Sequence, residues 1–346
     1  MASDASSASA ATLAEFITNV RADNGKPLTP VTARTYAACL VRIRGLIGGD
    51  PMHYQWPVQD KPALDKALLS IPLTSRKTCL CALLAWSKTV MSKPGDVVEY
   101  IQTLVNEVVE QCRSEEDAQQ PTQKQTDNWT SLAELKTVLK GYERELKNDG
   151  VLTGRGVLPS HTFRLLRRWV IGMLYLSGDD NPPLRLDFRD VRLIDRKAWM
   201  QMPVADREGK NWLVITGRNK KLFVFGRYKT FATHGVLEVP VGKPLNRVLN
   251  IWFRYHKSDY LLDRFPLAAS RMTELIKSVF SPTSKRIGVS MLRHIYLSSK
   301  FPADLAHRQD IARKMAHSVD QQSLYILDVK TDGAQSAPGD ALSSSQ

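Results

Sequence analysis

Two short stretches in the last third of the chain, Ser290-Met-Leu-Arg293-His294 and Met315-Ala-His317-Ser318-Val-Asp-Gln-Gln-Ser-Leu-Tyr325, place an arginine, a histidine and a tyrosine in an order suited to metal-free attack on a phosphodiester. A phosphodiester in transit gathers negative charge on its two non-bridging oxygens. A guanidinium fork and an imidazole N–H can both donate to those oxygens without a metal ion. Tyr325 would then be the nucleophile, and Tyr296, three positions past Arg293, is the fallback. A free phenol titrates near about 10, so neighbours must take its proton or stabilise its oxyanion.

The remaining parts of such a site lie upstream. A strongly apolar helix runs through Leu165 to Leu176 and ends at Gly178, and Pro182-Pro183-Leu184-Arg185-Leu186-Asp187-Phe188-Arg189-Asp190-Val191 follows as a turn opening a short helix. Arg185 is the first candidate arginine. Two β-branched and aromatic runs, Trp212 to Ile215 and Leu222 to Phe225, flank the turn-forming Thr216-Gly217-Arg218-Asn219 and read as a hairpin, with Tyr228-Lys229-Thr230 directly after it. A lysine here can protonate a leaving oxygen, and Lys220, Lys221 and Lys229 all offer one.

With Arg185, Lys229, Arg293, His317 and Tyr325 in this order, residues 129 to 330 resemble the tyrosine recombinases, the integrase family that shares its active-site plan with type IB topoisomerases. Pro-Pro-Leu-Arg185, Tyr-Lys229-Thr and Ala-His317-Ser-Val look most like the divergent integrases of eukaryotic mobile elements and large DNA viruses. The resemblance selects Lys229 among the lysines. It implies that Tyr325 attacks the scissile phosphate to give a 3′-phosphotyrosyl bond and a free 5′-hydroxyl. Arg185, Arg293 and His317 would hold the non-bridging oxygens while Lys229 protonates the departing one. It further implies double-stranded DNA as partner, a homotetramer on two DNA sites, and no metal, nucleotide or redox cofactor. A topoisomerase, a telomere resolvase or a DNA-binding relative without catalysis would carry the same scaffold.

Two positions depart from the family pattern. The family has histidine three residues before the second arginine, on a shared helical face, and here that residue is Ser290, which leaves His294 as the nearby imidazole. His317 precedes Tyr325 by eight positions where many members have one more; a one-residue shift turns a helical side chain by about 100°.

The charge is consistent with a polyanionic partner. The formal net charge is +13 over 346 residues, and residues 129–346 carry 35 Lys and Arg against 21 Asp and Glu, while residues 1–128 carry 13 against 14. Arg34, Arg42 and Lys77 in the first part, and Arg218, Lys220 and Lys221 at the hairpin, are the candidate DNA contacts. No apolar run approaches the ~18–20 residues that span a bilayer, and the Ser/Ala-rich opening lacks a signal-peptide pattern, so the expectation is a soluble intracellular protein with no membrane partner. Cys39, Cys79, Cys81 and Cys112 lack the ligand-pair spacing of a zinc site and read as buried thiols.

The elements that must position these residues divide the chain. Residues 1–10 read as disordered. Residues 11–112 read as helices at 12–21, 30–47 (behind the cap Thr29), 61–70, 74–91 and 96–112, and the resemblance implies that they form the family's core-binding domain. The polar run 113–128 reads as a linker, the Ser131-Leu-Ala-Glu134 capping box opens a catalytic domain over 129–330, and 331–346 is a flexible tail. The expected fold is mainly α with a small antiparallel sheet near 191–241, followed by helices at 244–256, 270–280, 288–299, 304–315 and 319–328. The resemblance adds that the two domains close as a C-shaped clamp.

Overall fold

The computed structural model describes residues 27–48, 60–90, 95–117, 121–178, 181–299, 311 and 314–315. The chain is mainly helical with one small four-stranded sheet. It divides into two compact units, 1–118 and 119–346. The predicted helices at 12–21 and 319–328, the end segments 1–10 and 331–346, and the candidate residues His317 and Tyr325 lie outside the described residues.

The first unit contains α1 (Pro30–Ile47), α2 (Lys61–Leu69), α3 (Leu73–Val90) and α4 (Asp96–Asp117). Helix α1 starts where expected because Thr29 accepts from the Thr32 N–H and Pro30 occupies the first turn, where its missing N–H costs nothing. It ends at Gly48, whose φ of 74° suits a residue without Cβ. Ala33, Ala37, Leu40 and Ile43 form its buried stripe and meet Leu64, Leu68, Leu80, Leu83 and Ile101 in one core. Cys79 and Cys112 are buried; Cys39 and Cys81 are half-buried, and all four are free thiols.

Two features of the predicted linker change. Helix α4 continues through residues 113–117, and α5 (Gln123–Asp127) follows. The cause of the second is local: Thr122 and Gln125 satisfy each other's backbone donors in a complete capping box. At Ser131 the box is half made, because Ser131 caps the Glu134 N–H while the Glu134 carboxylate takes the Thr130 hydroxyl instead.

The second unit continues with α6 (Leu132–Asn148), α7 (Ser160–Leu176), β1 (Val191–Asp195), α8 (Arg196–Gln201), α9 (Val204–Arg207), β2 (Asn211–Gly217), β3 (Lys220–Phe225), α10 (Phe231–His234), β4 (Leu237–Pro240), α11 (Lys243–Tyr255), α12 (Ala269–Val279) and α13 (Val289–Ser299). Helices α6 and α7 pack so closely that a Cβ at Gly172 would fall 2.2 Å from a Leu139 methyl. The sheet is mixed rather than antiparallel. The hairpin β2–β3 and the pair β3–β4 are antiparallel as expected, but β1 pairs with β2 in parallel, Val191 opposite Asn211 through Asp195 opposite Ile215. The short helices α8 and α9 form the crossover that parallel neighbours require. Both sheet faces are covered: Leu213, Phe223, Phe225 and Val239 face the main core, and Ile194, Trp212, Val214 and Val224 form a second cluster. No helix among the described residues is long and apolar enough to cross a membrane.

Candidate active site

The turn that carries Arg185 is fixed from below by aromatic side chains. Tyr175, fully buried on α7, donates its hydroxyl to the Arg185 carbonyl at 2.8 Å. Phe188 inserts edge-on against Tyr175 (5.4 Å between centroids), Phe223 (5.3 Å) and Phe225 (5.8 Å). The 3₁₀ turn Asp187–Asp190 therefore rides on the strand that leads to Lys229.

Asn211, at the start of β2 and 2% exposed, joins the two segments. Its amide nitrogen donates to the Asp190 carboxylate (3.0 Å), the Arg227 carbonyl (3.0 Å) and, more weakly, the Asp187 carbonyl (3.3 Å). Its oxygen accepts the Arg227 N–H at 2.9 Å. Asp190 also holds the Arg227 guanidinium as an ion pair. Beyond Arg227, the Tyr228 hydroxyl donates to the Gly235 carbonyl (2.7 Å) and its ring meets Phe231 edge-on (6.0 Å). Lys229 sits between these anchors with its side chain exposed.

Arg293 comes to the same place from α13. Its side chain is 1% exposed, among the largest fully buried in the protein. Asp187 is the meeting point: burial raises its carboxyl above the usual range, the guanidinium of Arg185 pulls it back, Asp190 raises it again, and Arg293 and Arg189 lower it. Burial likewise lifts the Tyr175 phenol, Asp187 adds to that, and Arg293 opposes it. Burial and then Asp187 raise the Tyr228 phenol as well. The charges of Arg185 and Arg293 thus both act on the Asp187 carboxyl, beside the segment that carries Lys229.

The other sequence candidates are placed as follows. Ser290 is exposed on the first turn of α13. His294 is half-buried and its Nε2 lies 3.2 Å from the Gln125 amide nitrogen on α5. Tyr296, the fallback nucleophile, is 2% exposed and packs with Leu297, Ile311 and Met315. Met315, two positions before His317, is part of that packing, and its N–H bonds to Ile311 (2.9 Å) in a helical turn, the described remnant of the helix expected at 304–315.

Arg34, Arg42, Arg218 and Lys220 are exposed and Lys77 is half-buried. Lys221 is corrected as a direct DNA contact: it is 3% exposed, with its ammonium donating to Asn246 (2.6 Å), Asn250 (2.7 Å) and the Arg218 carbonyl (3.0 Å). Its burial follows from strand alternation, since residues 221, 223 and 225 share the inward face. The same alternation marks Asn211 with Leu213 as inward, so a polar residue opening an inward-facing run was the signal for the staple that sequence reasoning missed. Asp187 was in plain view two positions after Arg185, but its role depends on the arrival of Arg293 from 106 positions away.

Comparisons with protein-family models, curated proteins and solved structures return no match for this chain.

Proposed function

We propose that the chain is a tyrosine-type DNA strand transferase, a site-specific recombinase or integrase that cuts and rejoins double-stranded DNA through a 3′-phosphotyrosyl bond. The single observation that carries this reading is that the charges of Arg185 and the buried Arg293 both act on the Asp187 carboxyl, next to the stapled segment bearing Lys229. Residues 108 positions apart have no local reason to share a neighbourhood, and two guanidinia, Arg293 buried and Arg185 half-exposed, suit the charge that grows on a phosphate under attack.

In this mechanism Arg185 and Arg293 bind the non-bridging oxygens, with His317 as a further donor, and Lys229 hands its proton to the departing 5′-oxygen. Tyr325 supplies the attacking oxygen, and a 5′-hydroxyl from another strand reverses the step. The two units would close on the duplex as a C-shaped clamp, with four copies spanning two sites.

The test is a nicked suicide duplex incubated with the full chain and resolved on a denaturing gel. Wild type should accumulate a covalent adduct mapping to Tyr325, and Tyr325→Phe should bind the duplex as well as wild type while forming none. An adduct that persists in Tyr325→Phe overturns the nucleophile. Duplex binding with no adduct in wild type would identify a non-catalytic relative, a reading that the exposed Ser290 and the engaged His294 would then explain.

A further inference from the structure

We infer that a basic groove at the hairpin-tip end of the sheet is a second DNA-backbone site, separate from the phosphate clamp. The inference rests on the proposed function in taking DNA as the polyanion. The groove has a cavity volume of about 1110 Å³ and runs between α6, α11 and the β2–β3 turn. Its lining includes Lys140, Arg144 and Lys147 from α6, Lys243 and Arg247 from α11, and Arg218 from the turn. All six are exposed. The single carboxylate in the lining, Glu143, is paired with Arg247 at 3.0 Å.

The spacing matches a strand of phosphates. Lys140, Arg144 and Lys147 lie at helical intervals of four and three, one stripe along α6. On α11 the cations begin at Lys243 and end at Arg254, which anchors its guanidinium on the Leu152 carbonyl (2.8 Å). Eleven helical residues extend ~16 Å. At ~3.4 Å of axis per phosphate of one strand, that is room for about five phosphates. A lone phosphate or nucleotide does not call for cations along both walls of a groove this long.

The groove is also built. Besides the three bonds from Lys221, the side-chain amides of Asn246 and Asn250 donate to the Arg218 carbonyl at 3.1 and 2.8 Å. The turn is therefore tied to α11 and Arg218 is presented to the groove from a fixed backbone. Strand β2 separates this end from the Asn211 staple by six residue steps, ~20 Å along the strand. Backbone held here belongs to DNA other than the phosphate undergoing attack, either flanking duplex or the second site.

The experiment measures binding of a fluorescent 40-base-pair duplex across a salt series, using the full chain, wild type against the triple variant Lys140→Gln, Arg144→Gln, Lys243→Gln. Circular dichroism melts confirm that these exposed substitutions leave the fold intact. Each lost phosphate contact should lower the slope of log K against log salt by ~0.9, so the triple variant should bind at least tenfold more weakly near physiological salt with a slope shallower by about 2–3. Unchanged affinity and slope overturn the groove, even if wild type still forms the Tyr325 adduct. Groove-dependent binding with no adduct keeps the groove and overturns the strand-transfer reading; no duplex binding by wild type overturns both. Inositol hexakisphosphate titrated in parallel gives the remaining outcome: loss of its binding in the variant, with duplex binding intact, would assign the groove to a small polyphosphate instead.

Discussion

The two ends of the central sheet handle positive charge in opposite ways. At the Asn211 end, arginines act on carboxylates: Arg227 pairs with Asp190, and the charges of Arg185 and Arg293 lower the Asp187 carboxyl against its burial, with Arg293 almost wholly out of water. At the Arg218 end, cations line an open groove with one carboxylate among them, and the buried lysine there donates to amide and carbonyl oxygens rather than to acids. Buried guanidinia are costly to desolvate and must be held by countercharge, which fixes their geometry. Exposed cations cost little and keep their orientation loose. In the proposed mechanism one end would stabilise charge at a particular atom, and the other would hold charge along a length.

The largest expected effect breaks the first end. Arg293→Lys keeps the charge but loses the fork, and single-turnover cleavage of the suicide duplex should slow by about 10²–10³. Near wild-type cleavage would mean that the clamp lies elsewhere. Next, Asn211→Ala leaves Asp190 and the Arg227 N–H short of a buried partner and should cost about 3 kcal/mol in urea denaturation, together with loss of adduct formation; an intact cleavage rate would show that the staple does not position Lys229. Smallest, Lys221→Met should cost about 1–2 kcal/mol and weaken duplex binding through the groove without touching the clamp. Its pH dependence sharpens the contrast. Burial lowers the Lys221 ammonium to about 8, below its unfolded value near 10.5, so between those limits the unfolded chain binds more protons. The stability contributed at Lys221 must therefore rise with pH from about 8 to 10.5, and the gap between wild type and Lys221→Met should widen across that window. A constant gap would place the ammonium in contact with water.

Local signals account for what the sequence made legible. The Thr29 cap, Pro30 and the apolar spacing from Ala33 to Ile43 settle α1 without reference to anything distant. The hairpin β2–β3 was readable because β-branched and aromatic runs flank a glycine-containing turn. The parallel partner β1 was not, since Val191–Asp195 is a short polar-flanked strand whose pairing depends on a crossover. The stretch 113–128 read as linker holds the end of α4 and a capping box at Thr122, the pattern recognised at Ser131, and the two units divide within it. At the site, Arg185, Lys229 and Arg293 could be named from their order, whereas Asp187, Tyr175 and Asn211 acquire roles only through contacts between distant segments. Lys221 was misassigned because two adjacent lysines in a turn were treated alike, although a pleated strand sends neighbours to opposite faces.

The position of Lys229 has a consequence for the entropy of ligand capture. Its backbone is anchored on one side by the Arg227 N–H on Asn211 and on the other by the Tyr228 hydroxyl on Gly235 and the Phe231 N–H on the Tyr228 carbonyl. Fixing a loose backbone costs roughly 1–2 kcal/mol per residue, and in the proposed mechanism that cost would fall on folding rather than on DNA binding. What would remain to be ordered on capture of a phosphate is one four-carbon stem, worth about 2 kcal/mol of rotamer freedom. The lysine thus searches a small volume with a swinging side chain instead of a swinging loop.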